Sequence, residues 1–315
     1  MSEKLLLPTD FSKNSLNAIQ YAIKLYANKD CDFYILNTYA KNTSGLDSLT
    51  LLDPDDAFNK LSEKRSKEGL GNILTRLTFK KDNPRHRFHV LSRSTLYLDA
   101  VRDIIENMKI DMLIMGAKGI ANTQTGSYGK TTISTIENIR KCPVLIVPKK
   151  ATFGDSKEIV FATNFKTDFN LFDIQHIAEI AKISNSSIQV LGLKENDTLD
   201  AQQEKNKLVL ETYFKNIDLH FNMIHDTKMN IALQCFVQIK ASAMISYVNK
   251  KQTFWESMGF GKCTLEKLGY FDDVPILAIN DKLKYSENST LLNTKDEIWD
   301  EVSPLYESQP ESNAS

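Results

Sequence analysis

The chain contains its own first half a second time, and this repeat restricts the possible folds more than any other feature. Ile159-Val160-Phe161-Ala162-Thr163-Asn164-Phe165 answers Leu5-Leu6-Leu7-Pro8-Thr9-Asp10-Phe11. Later the correspondence runs without gaps at a distance of 132 residues. Gly129-Lys130 meets Gly261-Lys262, Pro143 meets Pro275, and the run from Val144 to Val147 meets that from Ile276 to Ile279. Ala100, Val101, Ile104 and Ile105 likewise face Ala232, Leu233, Phe236 and Val237. Apolar phase that matches at one offset means one fold used twice.

Within each half, short apolar runs alternate with helical periods. Lys4 to Leu7, Phe33 to Leu36, Phe88 to Leu91, Asp111 to Met115 and Val144 to Val147 read as buried strands. Leu16, Ile19, Ile23 and Tyr26 recur near every 3.6 residues behind Ser12 or Asn14, either of which can cap a helix. A charged helix is expected from about Ala57 to Lys80, although Gly69 and Gly71 interrupt it. Leu96, Ala100, Val101, Ile104, Ile105 and Met108 make one more helical face, and in the second half Ile174, Ile177, Ala178 and Ala181 make another. Ile188 to Leu193 is a further strand. Strand–helix alternation of this kind predicts parallel sheets covered on both sides. The expected division is residues 1–150, residues 151–281, and a flexible acidic tail at 282–315 with about four net negative charges. Between Asp10 and Gly129 the first half carries about 22 residues more than the second, assigned here to the region from Lys41 to Lys80.

With 315 residues, 42% of them hydrophobic and 25% charged, the chain suits two soluble domains. A formal net charge of −1 gives no general pull toward nucleic acid or anionic membrane. No apolar run reaches membrane-spanning length and no signal-peptide core precedes the first strand, so a cytoplasmic location is expected. Cys31, Cys142, Cys235 and Cys263 form no CxxC pair and read as buried, reduced thiols. Histidine and cysteine spacing offers no metal ligand set, and the acids of Tyr270-Phe271-Asp272-Asp273 read as solvated turn residues rather than a Mg2+ site.

Functional chemistry concentrates between Asp111 and Pro148. A strand ends at Met115-Gly116, Gly119 follows, and a polar loop leads to Gly129-Lys130-Thr131-Thr132 at the head of a helix. Glycine allows close approach of backbone, and the unpaired N–H groups of a first helical turn attract anions. Gly129-Lys130-Thr131 also resembles the end of a Walker A loop. That motif requires glycine where Gln124 stands, and a loop that leaves its strand directly, whereas this strand ends at Met115.

The spacing Gly-x2-Gly-x9-Gly followed by hydroxyl residues resembles the ATP loop of the nucleotide-binding universal stress proteins. The resemblance covers roughly residues 3 to 281. It implies an α/β fold of two tandem universal-stress-protein-like (adenine nucleotide α-hydrolase-like) domains, each a five-stranded parallel sheet with helices on both faces. It further implies ATP, with Mg2+ as companion ion, held by Pro8, Thr9, Asp10, Thr38, Met115, Gly116, Gly119, Gly129, Lys130, Thr131 and Thr132. In that family the aspartate matching Asp10 contacts the nucleoside, and the position of Thr38 borders the adenine. One departure is Lys130, which stands where the family has its first Ser or Thr and is either a phosphate partner or a solvated helix-start residue. In the repeat Gly116 becomes Val248, Gly119 becomes Lys251 and Asp10 becomes Asn164, so one ATP is expected, in the first half.

No catalytic set emerges. No Ser/His/Asp arrangement and no paired acids in the glycine loop are present to position a hydrolytic water. Three readings follow: a nucleotide-binding stress-response or signalling module, a slow ATP-hydrolysing enzyme of the same α/β class, or a scaffold without nucleotide. The resemblance also implies intramolecular pairing of the two domains through their last strands. A homodimer would then need another surface, and the protein partner stays unidentified.

Overall fold

In the computed structural model, residues 2–39, 54–79, 83–119, 126–154, 157–166, 169, 171–194, 198–240, 243–250 and 264–280 are described. Residues 40–53, the repeat positions Lys251, Gly261 and Lys262, and the expected acidic tail lie outside them.

The first half runs β1 (Glu3–Pro8), α1 (Lys13–Leu25), β2 (Cys31–Thr38), α2 (Pro54–Phe79), β3 (His86–Arg93), α3 (Tyr97–Met108), β4 (Met112–Gly116), α4 (Lys130–Asn138) and β5 (Val144–Val147). The second runs β6 (Glu158–Thr163), α5 (Leu171–Ser184), β7 (Ser187–Lys194), α6 (Ala201–Tyr213), β8 (Leu219–His225), α7 (Met229–Lys240), β9 (Met244–Asn249), α8 (Thr264–Leu268) and β10 (Ile276–Asn280). The strands begin and end up to two residues beyond the apolar runs that announce them. Polar ends such as Asn37 and Thr38 continue the parallel ladder with Ser92 and Arg93. Ser12, not Asn14, caps α1, accepting the Ser15 N–H at 3.1 Å. Much of the extra length of the first half is helix, since α2 has 26 residues and α6 has 13.

One ten-stranded sheet results, in the order β3-β2-β1-β4-β5-β10-β9-β6-β7-β8. Pairing is parallel throughout each half and antiparallel where β5 meets β10, with Ile276 opposite Ile146 and Leu277 opposite Leu145. Side chains alternate along the strands, so Leu5 and Leu7 join α1, α2, α5 and α6 on one face. Leu6 joins α3, α4, α7 and α8 on the other. Both cores run across the seam without a break. The doubly wound, five-stranded parallel domain with helices on both faces therefore occurs twice.

The same irregular turn recurs in each half. Phe11 and Phe165 both adopt left-handed backbone, with φ of 64° and 56°. Each amide donates to a hydroxyl two residues back, Thr9 Oγ1 at 3.0 Å and Thr163 Oγ1 at 2.9 Å. Each ring then lies on a glycine. A Cβ at Gly69 would stand 2.4 Å from the Phe11 ring, and one at Gly192 2.5 Å from the Phe165 ring. Gly69 thus weakens α2 as a helix former but is required by what packs against it.

Polar contacts across the seam run both ways: Arg140 Nη2 donates to the Asn249 carbonyl and the Tyr128 hydroxyl to that of Gly269 at 3.1 Å, while two asparagines of the second half donate back. Asn280 Nδ2 donates to the carbonyls of Ile139 (3.0 Å) and Cys142 (2.8 Å). Asn249 Nδ2 donates to that of Ile136 (2.9 Å) and to Asn280 Oδ1 (3.0 Å). The second half thereby satisfies carbonyls at the C-terminal end of α4 that the helix leaves unpaired. Cys31 and Cys142 are buried, and burial pushes both thiols up to about 12. Cys235, expected to be buried, is exposed because it lies on the outer side of α7. Cys263 lies outside the described residues.

Glu3, Asp111 and Glu179 of α5 act on one another across the two halves. Burial, with Glu3 and Asp111 adding to it and Lys29 and Lys182 opposing, raises the Glu179 carboxyl to about 7. The folded chain then holds a proton that the unfolded chain, near 4.5, has released. This contribution favours folding at low pH and is lost as pH rises through about 7. Glu179→Gln should therefore gain stability on the wild type between about pH 5 and pH 8, read as the difference in melting temperature. Parallel profiles for the two proteins would show the carboxyl to be solvated as in the open chain.

Candidate nucleotide site

Strand order reverses between β1 and β4, and in open parallel sheets ligands bind beyond the strand ends at such a switch point. A cleft of about 230 Å3 opens there. Pro8, Thr9 and Asp10 reach it from β1, Thr38 from β2, Met115, Gly116 and Gly119 from β4 and its loop, and Thr131 and Thr132 from α4. Gly129 and Lys130 do not line it. Gly129 is the N-cap of α4, buried beneath the loop with its amide on the Ala117 carbonyl at 2.9 Å. Lys130 is exposed on the first turn.

The three glycines are needed for close approach, but of the protein to itself. None has positive φ; among the described glycines only Gly126 and Gly269 do. They are close-approach points within the protein itself. A Cβ at Gly116 would stand 3.0 Å from the Asn14 amide and 3.2 Å from its backbone carbon. At Gly119 it would stand 2.8 Å from Asp10 Oδ2, and at Gly129 3.3 Å from Lys118 Cα. Asn14 is thus wedged against the end of β4, where its Nδ2 donates to the Lys118 carbonyl at 2.7 Å and clasps the loop.

Asp10 also serves its turn, since Oδ1 accepts the Ser12 N–H at 3.1 Å while Oδ2 faces Gly119. Thr132 is buried, and its hydroxyl lies within reach of the Gly116 (3.2 Å) and Ala117 (3.1 Å) carbonyls. Either carbonyl can accept its proton, which leaves the oxygen as an acceptor. Thr131 is exposed. The N-cap Gly129 offers no side-chain acceptor, so the first-turn amides of α4 have no side-chain cap, a favourable arrangement for an anion.

Ser15, Leu36, Asn37, Tyr97 and Lys118 complete the lining. None of these five is in the set that the family resemblance implies. Ser15 Oγ and Thr9 Oγ1 are 2.9 Å apart, and Asn37 Nδ2 holds the Thr9 carbonyl at 2.7 Å. Tyr97 heads α3 with its hydroxyl 3.4 Å from Thr135 Oγ1, and burial pushes that phenol up to about 12. Leu96, expected on the apolar face of this helix, is instead its exposed N-cap, so the helix opens at Tyr97.

Fold and cleft define the class, a doubly wound α/β protein in tandem with a site at one switch point. Residues 1–148 match the model of the universal stress protein family. A universal stress protein from Synechocystis is 24% identical over 153 residues, 47% of this chain and 87% of the relative. One from Methanocaldococcus jannaschii is 24% identical over 147 residues, covering 47% and 82%. The crystal structure of a universal stress protein from Archaeoglobus fulgidus, 16% identical, spans 89% of this chain and 99% of its own with a TM-score of 0.65. That likeness covers both halves and shows a shared fold. Among the described residues no helix is long and apolar enough to cross a membrane.

Proposed function

We propose that the first half binds one ATP in this cleft and that the protein is a nucleotide-binding module of cytoplasmic stress response or signalling. The observation that carries the reading is convergence. Residues from β1, β2, β4 and α4, far apart in sequence, line one cleft at the switch point beside uncapped first-turn amides. The corresponding end of β9 carries the branched Val248 in place of Gly116, which favours a single site. Binding rather than turnover is the better reading. Asp10 is the one carboxylate among the described lining residues, and it is engaged in its own turn. If Mg2+ accompanies the nucleotide, Asp10 would be the one carboxylate of the described lining able to help hold it.

Mass spectrometry of ligand released from freshly purified protein tests the reading directly, with retained ATP expected at one per chain. Retained ADP under turnover conditions would favour a slow ATPase, and two nucleotides per chain would sink the single-site reading. Asp10→Ala should weaken ATP binding by about 1.5–3 kcal/mol, the range for a hydrogen bond to a charged group. Calorimetry showing unchanged affinity in a folded variant would leave Asp10 its turn role alone.

A further inference from the structure

The cleft is small for the ligand proposed. At about 230 Å3 it falls below the roughly 300–1,000 Å3 usual for small-molecule sites, enough for a nucleoside but short of one with its phosphates. A second cavity of about 410 Å3 adjoins it and shares Lys118 and Gly119 with it. Its charge is one-sided. Lys13 at the head of α1, Lys118 in the β4 loop, and Lys149 and Lys150 beyond β5 all line it, and Asp272 is the one carboxylate among its described lining residues. In a chain of net charge −1 this gathers cations where the surrounding surface does not require them.

The second half forms one wall. Lys118 Nζ lies 4.6 Å from the centre of the Tyr270 ring, and Tyr270 meets Tyr128 edge-on at 5.0 Å. Lys150 Nζ is 2.5 Å from Asp272 Oδ2, but both side chains are largely solvated, so an incoming anion can compete for that lysine at little cost. In the repeat, Lys13 and Lys149 correspond to Thr167 and Asp281 while Lys118 and Lys150 correspond to Lys250 and Lys282, so two of the four lysines are lost along with the glycines.

We infer that the phosphate chain of the bound nucleotide leaves the cleft past Gly119 and lies in this lysine-lined groove. The ligand class is then a nucleoside polyphosphate, and the second half contributes to the site although its own glycine loop is gone. This rests on the nucleotide reading of the cleft. It assigns the outer phosphates to ammonium groups, which act as point charges without demanding one geometry.

The test is calorimetry on the full chain and on the double variant Lys13→Gln, Lys149→Gln, with AMP, ATP and inorganic tripolyphosphate as titrants. Both substituted lysines are exposed, so the fold is retained. The wild type is expected to bind ATP at least tenfold more tightly than AMP and to bind tripolyphosphate. The variant should lose tenfold or more for ATP and tripolyphosphate with AMP unchanged. Equal wild-type affinities for AMP and ATP, or an unaltered variant, would overturn the groove while leaving the nucleotide cleft standing. A wild type that takes tripolyphosphate but neither nucleotide would overturn the nucleotide reading instead, and with it the assignment of the groove to a nucleotide's phosphates.

Discussion

Gly116→Val is expected to bring ATP binding below calorimetric detection in a chain that still folds. The new side chain would enter a space where even a Cβ stands 3.0 Å from the Asn14 amide. Asn14 must then move, and its 2.7 Å bond to the Lys118 carbonyl is lost. The loop thus released carries Gly119, whose Cα packs beside Asp10. Overfilling of this kind costs about 1–3 kcal/mol, which a protein stable by roughly 5–15 kcal/mol survives. The second half already carries this change, with Val248 at the end of β9 in an intact strand. Thermal melting should show a modest loss while the binding signal vanishes. Normal affinity in the variant would mean that the Asn14 clasp does not hold the site.

The five strands of the first half and the repeat were legible because each leaves a local pattern, whereas β8, β9 and α6 were not singled out. Apolar runs mark β4 and β5, and the 132-residue offset places α7 and β10 from α3 and β5. Nine of the fourteen described lining residues were legible for the same reason, since strand ends and glycines can be seen in sequence, while Ser15, Leu36, Asn37, Tyr97 and Lys118 reach the cleft only through packing. What each glycine is for was not. Gly116 is required by Asn14, about a hundred residues earlier, and Gly69 by the left-handed Phe11. Such pairs show no period and no composition bias, because they exist only once distant elements have packed. Asn249 and Asn280 were overlooked similarly. Nothing in either strand announces that its terminal amide will finish a helix in the other half. That Thr132 also reaches the Gly116 carbonyl was not legible, because a hydroxyl at a helix start suits a phosphate equally well and only its packed neighbours reveal a second partner.

Ile146→Asp should cost about 4 kcal/mol or more, comparable to stranding a buried charge without its partner, and leave a large fraction of the chain unfolded. Ile146 is fully buried, paired with Met115 on one side and Ile276 on the other. Separating the halves exposes the same strand, so residues 1–150 alone are expected to self-associate through the β5 edge. Joined in one chain, the two edges meet intramolecularly, at an effective concentration near the millimolar range. The register can be tested in the intact protein. Directly opposed residues on neighbouring antiparallel strands have Cβ atoms about 4.5–5.5 Å apart, whereas diagonal neighbours stand about 7–8 Å apart. Lysine at position 276 should therefore recover part of the loss caused by Ile146→Asp, because it faces the carboxylate across the seam. Lysine at 278 faces Val144 and should recover less. Denaturation of the two double variants beside the parent measures the difference. Equal recovery, or none from either, would mean that β5 and β10 do not pair in this register.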